Sequence, residues 1–240
     1  MERLQKYIAN TGYCSRRKAE DLIINGKVLV NGKIITELGT KVNDNDQIMI
    51  CGKVLAKEDK VYYLLYKPRG VVTTTDDDKK RKTVLDLVHT NKRIYPVGRL
   101  DYDTTGLLIL TNDGELTNLL IHPKNEIDKV YIAKIKGILN GREIKTLEEG
   151  VFIDNLKTAP CKIKVKKVDR KTNTSLVQVT IHEGKNHQVK NMFSAVNHEV
   201  IKLKREKIAF LDLSGLKAGE YRKLTIKEVK KLYSLNNKNA

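Results

Sequence analysis

Tryptophan is absent from this 240-residue chain, and aromatic side chains make up only 5% of it. A platform of rings that stacks on unpaired bases is therefore not expected to dominate its chemistry. Cysteine is almost as scarce. Cys14, Cys51 and Cys161 stand far apart, which supplies neither a disulfide framework nor a C-x-x-C metal spacing. His89, His122, His182, His187 and His198 show no ligand spacing, so no metal site is expected. No apolar run approaches transmembrane length and no secretory signal opens the chain, so a soluble, cytoplasmic protein is expected. G-x-G-x-x-G and G-x-x-x-x-G-K-[ST] loops are also missing, which leaves nucleotide-cofactor chemistry without support.

Acidic charge is the other deficit. Asp and Glu number 29 against 46 Lys and Arg, a net charge of +17. Such an excess attracts phosphate backbones and releases their counterions, so the expected partner is a polyanion. With 40% hydrophobic and 31% charged residues, the chain is globular and carries a heavily charged surface.

Two units are legible, 1–58 and 59–240, with a linker around AKEDK. In the first, MERLQKYIANTGY predicts a short amphipathic helix ending near Gly12, and Ser15 offers an N-cap for a second helix, SRRKAEDLIING. KVLVNGKIIT then predicts a hairpin around Asn31-Gly32, and DNDQIMICG another strand. Arg16, Arg17 and Lys18 fill the first turn of the second helix, where the macrodipole disfavours cations by about 0.3–1 kcal/mol each. A phosphate nearby would reverse that sign. The whole pattern, with S-R-R-x-A-E opening the helix and G-x-V-x-V-N-G after it, resembles the alpha-L RNA-binding motif of the fourth small-subunit ribosomal protein. The resemblance implies docking on structured RNA, with Arg16, Arg17, Lys18 and Lys27 near phosphates.

In the second unit, VYYLLYK reads as a buried strand that turns at Pro68-Arg69-Gly70. TTDDDKKRKT lacks an apolar face and predicts a mobile loop. KVYIAKIKG, KTAPCKIKVKKVD and TSLVQVTIHEG alternate as half-buried strands do, while VLDLVH, ELTNLLIH, KNHQVKNMFSAVNH and TIKEVKKLYS read as helices. Long β-runs broken by isolated helices predict an α+β fold with a mixed, largely antiparallel sheet.

PVGRLDYDTTGLLILTNDGEL, residues 96–116, carries the chemistry. Pro96, Gly98, Thr104, Thr105 and Gly106 punctuate the backbone around Asp101, and Leu107 to Leu110 then enter the core. A loop carboxylate anchored on a rigid strand suits a working residue, although a turn aspartate paired with Arg99 has the same spacing. Asp103 completes a D-x-D that would suit a metal-dependent nuclease or glycosyltransferase, but no second carboxylate cluster supports it.

This stretch closely resembles the signature of pseudouridine synthases of the RsuA/RluB type. KPRGVVTT, KVYIAKIKG and HEGKNHQVKNMFSAVNHEVIKLKRE follow in the family's order. The resemblance implies an α+β protein in which an alpha-L RNA-binding domain (1–58) precedes a catalytic domain (59–240). It implies isomerisation of a uridine in a structured ribosomal RNA stem-loop, with the large subunit preferred, by a monomer that needs no cofactor. Asp101 would be the nucleophile on a flipped-out base. Tyr131 would pack on that base and stand as candidate for removing the C5 proton, and Lys185 would pair with the Asp101 carboxylate. Arg99 would position the loop or contact the flipped nucleotide, and Leu203 would line the base pocket. His187, Lys190 and Asn191 stand where the family often has arginines, so Lys190 keeps charge for an RNA contact without the bidentate fork. The alternatives are small-subunit ribosomal RNA as the target, or a non-catalytic RNA-binding assembly factor on the same scaffold.

Overall fold

The computed structural model describes residues 1–235. The chain forms two compact units. The first takes Met1–Val61 together with the short segments Thr90–Ile94 and Asn112–Gly114. Those segments are fastened by polar contacts that no local pattern announces. Asn112 accepts the Val61 amide at 2.9 Å and donates to the Asp59 carbonyl at 3.0 Å, and Lys92 pairs with Glu58 at 3.6 Å.

Along the first unit run β1 (Glu2–Arg3), α1 (Leu4–Asn10), α2 (Arg16–Ile24), β2 (Val28–Val30), β3 (Lys33–Ile35), β4 (Lys41–Val42), β5 (Ile48–Ile50) and β6 (Lys53–Val54). The strands form a four-stranded sheet in the order β3-β2-β5-β6 and a separate β1–β4 pair. Leu4 and Ile8 from α1, Ala19 and Ile23 from α2, and Val28, Ile48 and Ile50 from the sheet close one apolar core. Ser15 caps α2 by accepting the Lys18 amide at 3.2 Å. Asn31 and Gly32 both have positive φ, 50° and 78°, as the two-residue hairpin turn requires.

The second unit is built on a mixed sheet. Its elements are β7 (Tyr62–Lys67), β8 (Tyr95–Pro96), β9 (Thr105–Thr111), α3 (Gly114–Ile121), β10 (Lys129–Lys136), α4 (Gly141–Glu149), β11 (Phe152–Ile153), β12 (Leu156–Lys157), β13 (Lys162–Asp169), β14 (Thr174–Ile181), α5 (Gln188–Ser194), β15 (Val200–Ile208), β16 (Leu211–Asp212), β17 (Tyr221–Lys223) and α6 (Ile226–Tyr233). The main order is β13-β14-β10-β15-β9-β7-β17, with β8 beside β9 and β16 beside β15. Among the described residues every pairing in this sheet is antiparallel except β9 with β15. Gly106 makes that junction possible. Its φ is +120°, and a Cβ there would stand 2.2 Å from the Arg205 carbonyl oxygen.

One expectation changes in detail. The strand expected from Lys157 is split: Lys157 closes the β11–β12 hairpin, and β13 starts at Lys162, beyond Pro160, which has no amide to donate. The 74–83 loop forms no strand and carries an internal ion pair. Arg81 reaches the Asp77 carboxylate at 2.6 and 3.1 Å and its amide adds a third bond at 2.9 Å, which together hold that carboxyl down at about 2. No helix among the described residues is long and apolar enough to cross a membrane.

Candidate active site

Asp101 sits in the loop between β8 and β9, and the segment leaving β7 holds that loop from behind. Lys67, the last residue of β7, is fully buried. Instead of meeting a carboxylate, its ammonium donates to the carbonyls of Pro68 at 3.1 Å, Asp101 at 3.0 Å and Thr104 at 2.9 Å. Burial pushes its pKa down to about 8, against the upward pull of Asp101 and Asp103. Further along, the Gly70 amide donates to Tyr102 O at 2.8 Å. The Thr73 hydroxyl donates to Leu100 O at 2.7 Å and accepts the Leu100 amide at 3.3 Å. The backbone on both sides of Asp101 is thus fixed by hydrogen bonds across the KPRGVVTT segment.

The carboxylate itself faces cations. Lys190 Nζ lies 3.0 Å from Oδ2, and His187 Nε2 lies 3.5 Å from Oδ1, an ion pair when the imidazole is protonated. Thr104 Oγ1 donates to Oδ2 at 3.3 Å. Lys190 also binds Asp103 at 2.7 Å. Burial works against the Lys190 charge, but its bonds to Asp103 and Asp101 outweigh that and hold its pKa above the ordinary lysine value. The same bond from Lys190 holds Asp103 below the usual carboxylate range.

Asp101 borders two connected spaces. A narrow pocket of about 60 Å³ is walled by Tyr131, Leu203, Ile181 and Val189. A wider cleft of about 520 Å³ runs past Thr73, Arg99 and Tyr102. Arg99, Asp101, Lys185 and His187 line both. Tyr131 stands on β10 opposite Val179 and Arg205, is 8% exposed, and has no side-chain hydrogen bond among the described residues. Leu203 on β15 is equally buried. Arg99 is exposed and has no carboxylate partner among the described residues.

The pairing expected for Lys185 is not the one observed. Its ammonium goes to the Lys157 carbonyl at 3.2 Å and to Glu183 at 3.5 Å. The cause is local. Lys185 lies in the loop before α5, where its amide donates to Gln188 Oε1 at 2.9 Å, and its side chain runs toward β12. Lys190, expected to contact RNA, projects from the first turn of α5 onto the carboxylate. His187 turns toward it from a left-handed backbone, φ 50°.

Arg16, Arg17, Lys18 and Lys27 belong to the first unit. All are exposed at the start of α2 or just beyond its end, and none has an ion-pair partner among the described residues. Lys67, Thr73 and Gln188 lie outside the motif positions expected to form the site. The signal for Lys67 was there: a lysine closing the otherwise apolar strand YYLLYK has to find polar partners inside. For Gln188, which is 3% exposed and bridges the Lys185 amide and Glu183, no such signal exists.

A carboxylate clamped at the mouth of a cleft, in a basic α+β chain, belongs to a recognisable class. Residues 61–195 match the family of RNA pseudouridylate synthases, and residues 2–48 match the S4 domain. The chain belongs to the RNA pseudouridylate synthases, isomerases of uridine in RNA, with an S4 domain at its N-terminal end. It is 57% identical, over 243 aligned positions covering 100% of both chains, to ribosomal large subunit pseudouridine synthase B of Bacillus subtilis (strain 168). It is 38% identical to an uncharacterized RNA pseudouridine synthase of Aquifex aeolicus (strain VF5), over 96% of this chain and 93% of that one. The crystal structure of a pseudouridylate synthase superposes with a TM-score of 0.70 at 31% identity, over 97% of this chain and 100% of the other.

Proposed function

We propose that the protein converts one uridine of large-subunit ribosomal RNA to pseudouridine, with Asp101 as nucleophile and the target base turned out of its stack into the cleft. The observation that carries this is the Asp101 carboxylate itself, held on a clamped loop, flanked by Lys190 and His187, and open to both spaces of the cleft. The ribosomal large-subunit assignment of the Bacillus subtilis relative supports the choice of RNA.

The reaction breaks the N1–C1′ bond and forms a C5–C1′ bond. C5 loses a proton and N1 gains one, so nothing is oxidised and no cofactor is consumed. A carboxylate suits this because it can hold a detached glycosyl centre covalently, as in retaining glycosidases. Tyr131 offers an aromatic face and an uncommitted hydroxyl beside Asp101, which fits packing on the base and removal of the C5 proton. Leu203 supplies the apolar wall and Arg99 a free guanidinium for the nucleotide. Lys185 lines the cleft on the side toward β12. We place the RNA-binding module at 1–58, with Arg16, Arg17, Lys18 and Lys27 on phosphates, and take the enzyme to act as a cytoplasmic monomer.

The test is carbodiimide mapping of pseudouridine in ribosomal RNA from cells lacking the protein, complemented with wild type or Asp101→Asn. One large-subunit site restored by wild type alone is expected. A site restored by Asp101→Asn as well would remove the aspartate from the chemistry, and an unchanged map would favour the assembly-factor reading.

A further inference from the structure

The sheet of the second unit has two unlike faces. On one, Tyr131, Ala133, Ile135, Val177, Val179 and Leu203 are buried. The other face is open, and pairing register fixes what it presents. Three rows cross β15, β10, β14 and β13 in turn: Lys207–Val130–Thr180–Lys162, Lys204–Ile132–Gln178–Lys164 and Lys202–Lys134–Leu176–Lys167. Each row therefore begins and ends with a lysine.

The result is two lysine rails, Lys202/Lys204/Lys207 on β15 and Lys162/Lys164/Lys167 on β13. Between them lies a shallow floor of half-exposed side chains such as Val130, Ile132 and Gln178. With three strand gaps between the rails, their separation is about 14 Å, and successive lysines along a rail stand about 7 Å apart. Acidic compensation is thin. Glu206 pairs with Lys204 at 3.2 Å, Asp212 stands across from Lys207 on β16 and accepts the Ser214 amide at 3.0 Å, and Asp169, at the end of the β13 rail, is occupied by the turn amides of Lys171 and Thr172. The other rail lysines have no ion pair among the described residues.

Edge protection explains only half of this. Lysines on β13 guard an edge strand against pairing with another chain. β15, however, has β10 on one side and, on the other, β9 along Lys204–Arg205 and β16 along Lys207–Ile208, so at Lys204 and Lys207 no edge needs guarding. Lys202 also stands directly opposite Lys134, an arrangement of like charges that disfavours the isolated protein. A bound polyanion would reverse that cost.

We propose that this open face is a second RNA-binding surface, separate from the uridine cleft, that takes double-stranded RNA. Two parallel rails over a shallow floor match two phosphate strands flanking the wide, shallow minor groove of an A-form helix, recognised by shape and not by sequence. The proposal rests on the chain's membership of an RNA-modifying family, but not on which uridine it modifies.

The experiment uses the full chain and a uridine-free G/C duplex of about 16 base pairs, the span a duplex-RNA domain covers. Affinity is measured across salt concentrations for wild type, for Lys202/Lys204/Lys207→Gln, and for Lys162/Lys164/Lys167→Gln. A control, Lys145/Lys227/Lys230→Gln, removes equal charge from the exposed lysines of α4 and α6. Each rail variant is expected to bind at least about 10-fold more weakly, with the slope of log K against log salt shallower by about 2–3. The control should leave that slope nearly unchanged. Rail variants that behave like the control would overturn the proposal, and so would equal wild-type affinity for a single strand of the same composition. The single changes Lys204→Gln and Lys164→Gln, each expected to move the slope by about 0.7–0.9, keep the test decisive if a triple variant folds poorly. Because the probe lacks uridine, the outcome does not depend on where isomerisation occurs.

Discussion

Lys67 and Arg16 carry the same charge to opposite uses. In the second unit, Lys67 and Lys129 are buried, and each spends its charge on backbone carbonyls. Lys67 binds those of Pro68, Asp101 and Thr104, and Lys129 those of Ile127 and His182. At the start of α2 in the first unit, Arg16, Arg17 and Lys18 are exposed, have no ion-pair partner among the described residues, and stand at the helix end that repels cations. A net charge of +17 therefore describes two populations. One holds backbone segments in place, the active-site loop among them, and the other waits for an anion that the protein itself does not supply. Lys190 stands between them, half-buried and paired with Asp101 and Asp103.

The largest effect should come from the group the inward population serves. Asp101→Asn keeps the size of the side chain and removes the nucleophile, and a rate loss of about 10⁴-fold or more is expected in single-turnover assays. Affinity for substrate RNA should persist, because the outward cations are untouched. A variant that lost binding and chemistry together would show that the two populations are not separable.

Lys67→Met should act on stability next. It leaves three carbonyls of the active-site turn without their donor, at a cost of about 2–4 kcal/mol in urea unfolding. The pH dependence carries a definite sign. Burial holds Lys67 near 8 in the folded protein, below its unfolded value, so the unfolded chain binds more protons between about pH 8 and 10.5. Native stability from this residue accordingly rises with pH across that window and is flat above it. The difference in unfolding free energy between wild type and Lys67→Met should widen by about 2–3 kcal/mol from pH 8 to 10.5. A constant difference would mean that Lys67 is not desolvated as its burial indicates.

How much of this was legible follows from the same contrast. Local signals reported local structure well. Ser15 capped α2, Asn31-Gly32 turned the hairpin, and the alternating runs became β10 and β14. The loop around Asp101 is legible because its glycines, its threonines and the apolar run behind it are contiguous. Contacts between distant segments were not legible. That Thr73 would grip Leu100 depends on how two segments 27 residues apart meet, and that Lys190 and not Lys185 would meet Asp101 depends on how α5 leaves the 182–187 loop, since the five-residue spacing from Lys185 to Lys190 does not specify the direction of either side chain. The two lysine rails were hidden for a related reason. Alternation within one strand shows which residues share a face, but only the register across four strands aligns the rows.

Lys190→Gln and Lys185→Gln give the next comparison. Removing the ammonium 3.0 Å from Asp101 should lower kcat/KM by roughly 10- to 100-fold, moderated by the partial exposure of the pair. Lys185, engaged with the Lys157 carbonyl and Glu183, should cost less than about 10-fold. The opposite ranking would make Lys185 the working partner of the Asp101 carboxylate and leave Lys190 as an RNA contact.

Arg16/Arg17→Ala should have the smallest effect per residue and the clearest signature. The first turn of α2 loses two charges that its macrodipole opposes, so the folded protein should be no less stable, and thermal unfolding should show a midpoint at or slightly above wild type. RNA affinity should fall while the slope of log K against log salt becomes shallower by about 1.4–1.8, the contribution of two phosphate contacts. This combination separates function from architecture: a residue kept for the fold loses stability when removed, whereas one kept for an absent anion loses only binding. If stability fell and the salt slope stayed constant, these arginines would belong with Lys67, and the division of the charge into inward and outward populations would fail at its clearest point.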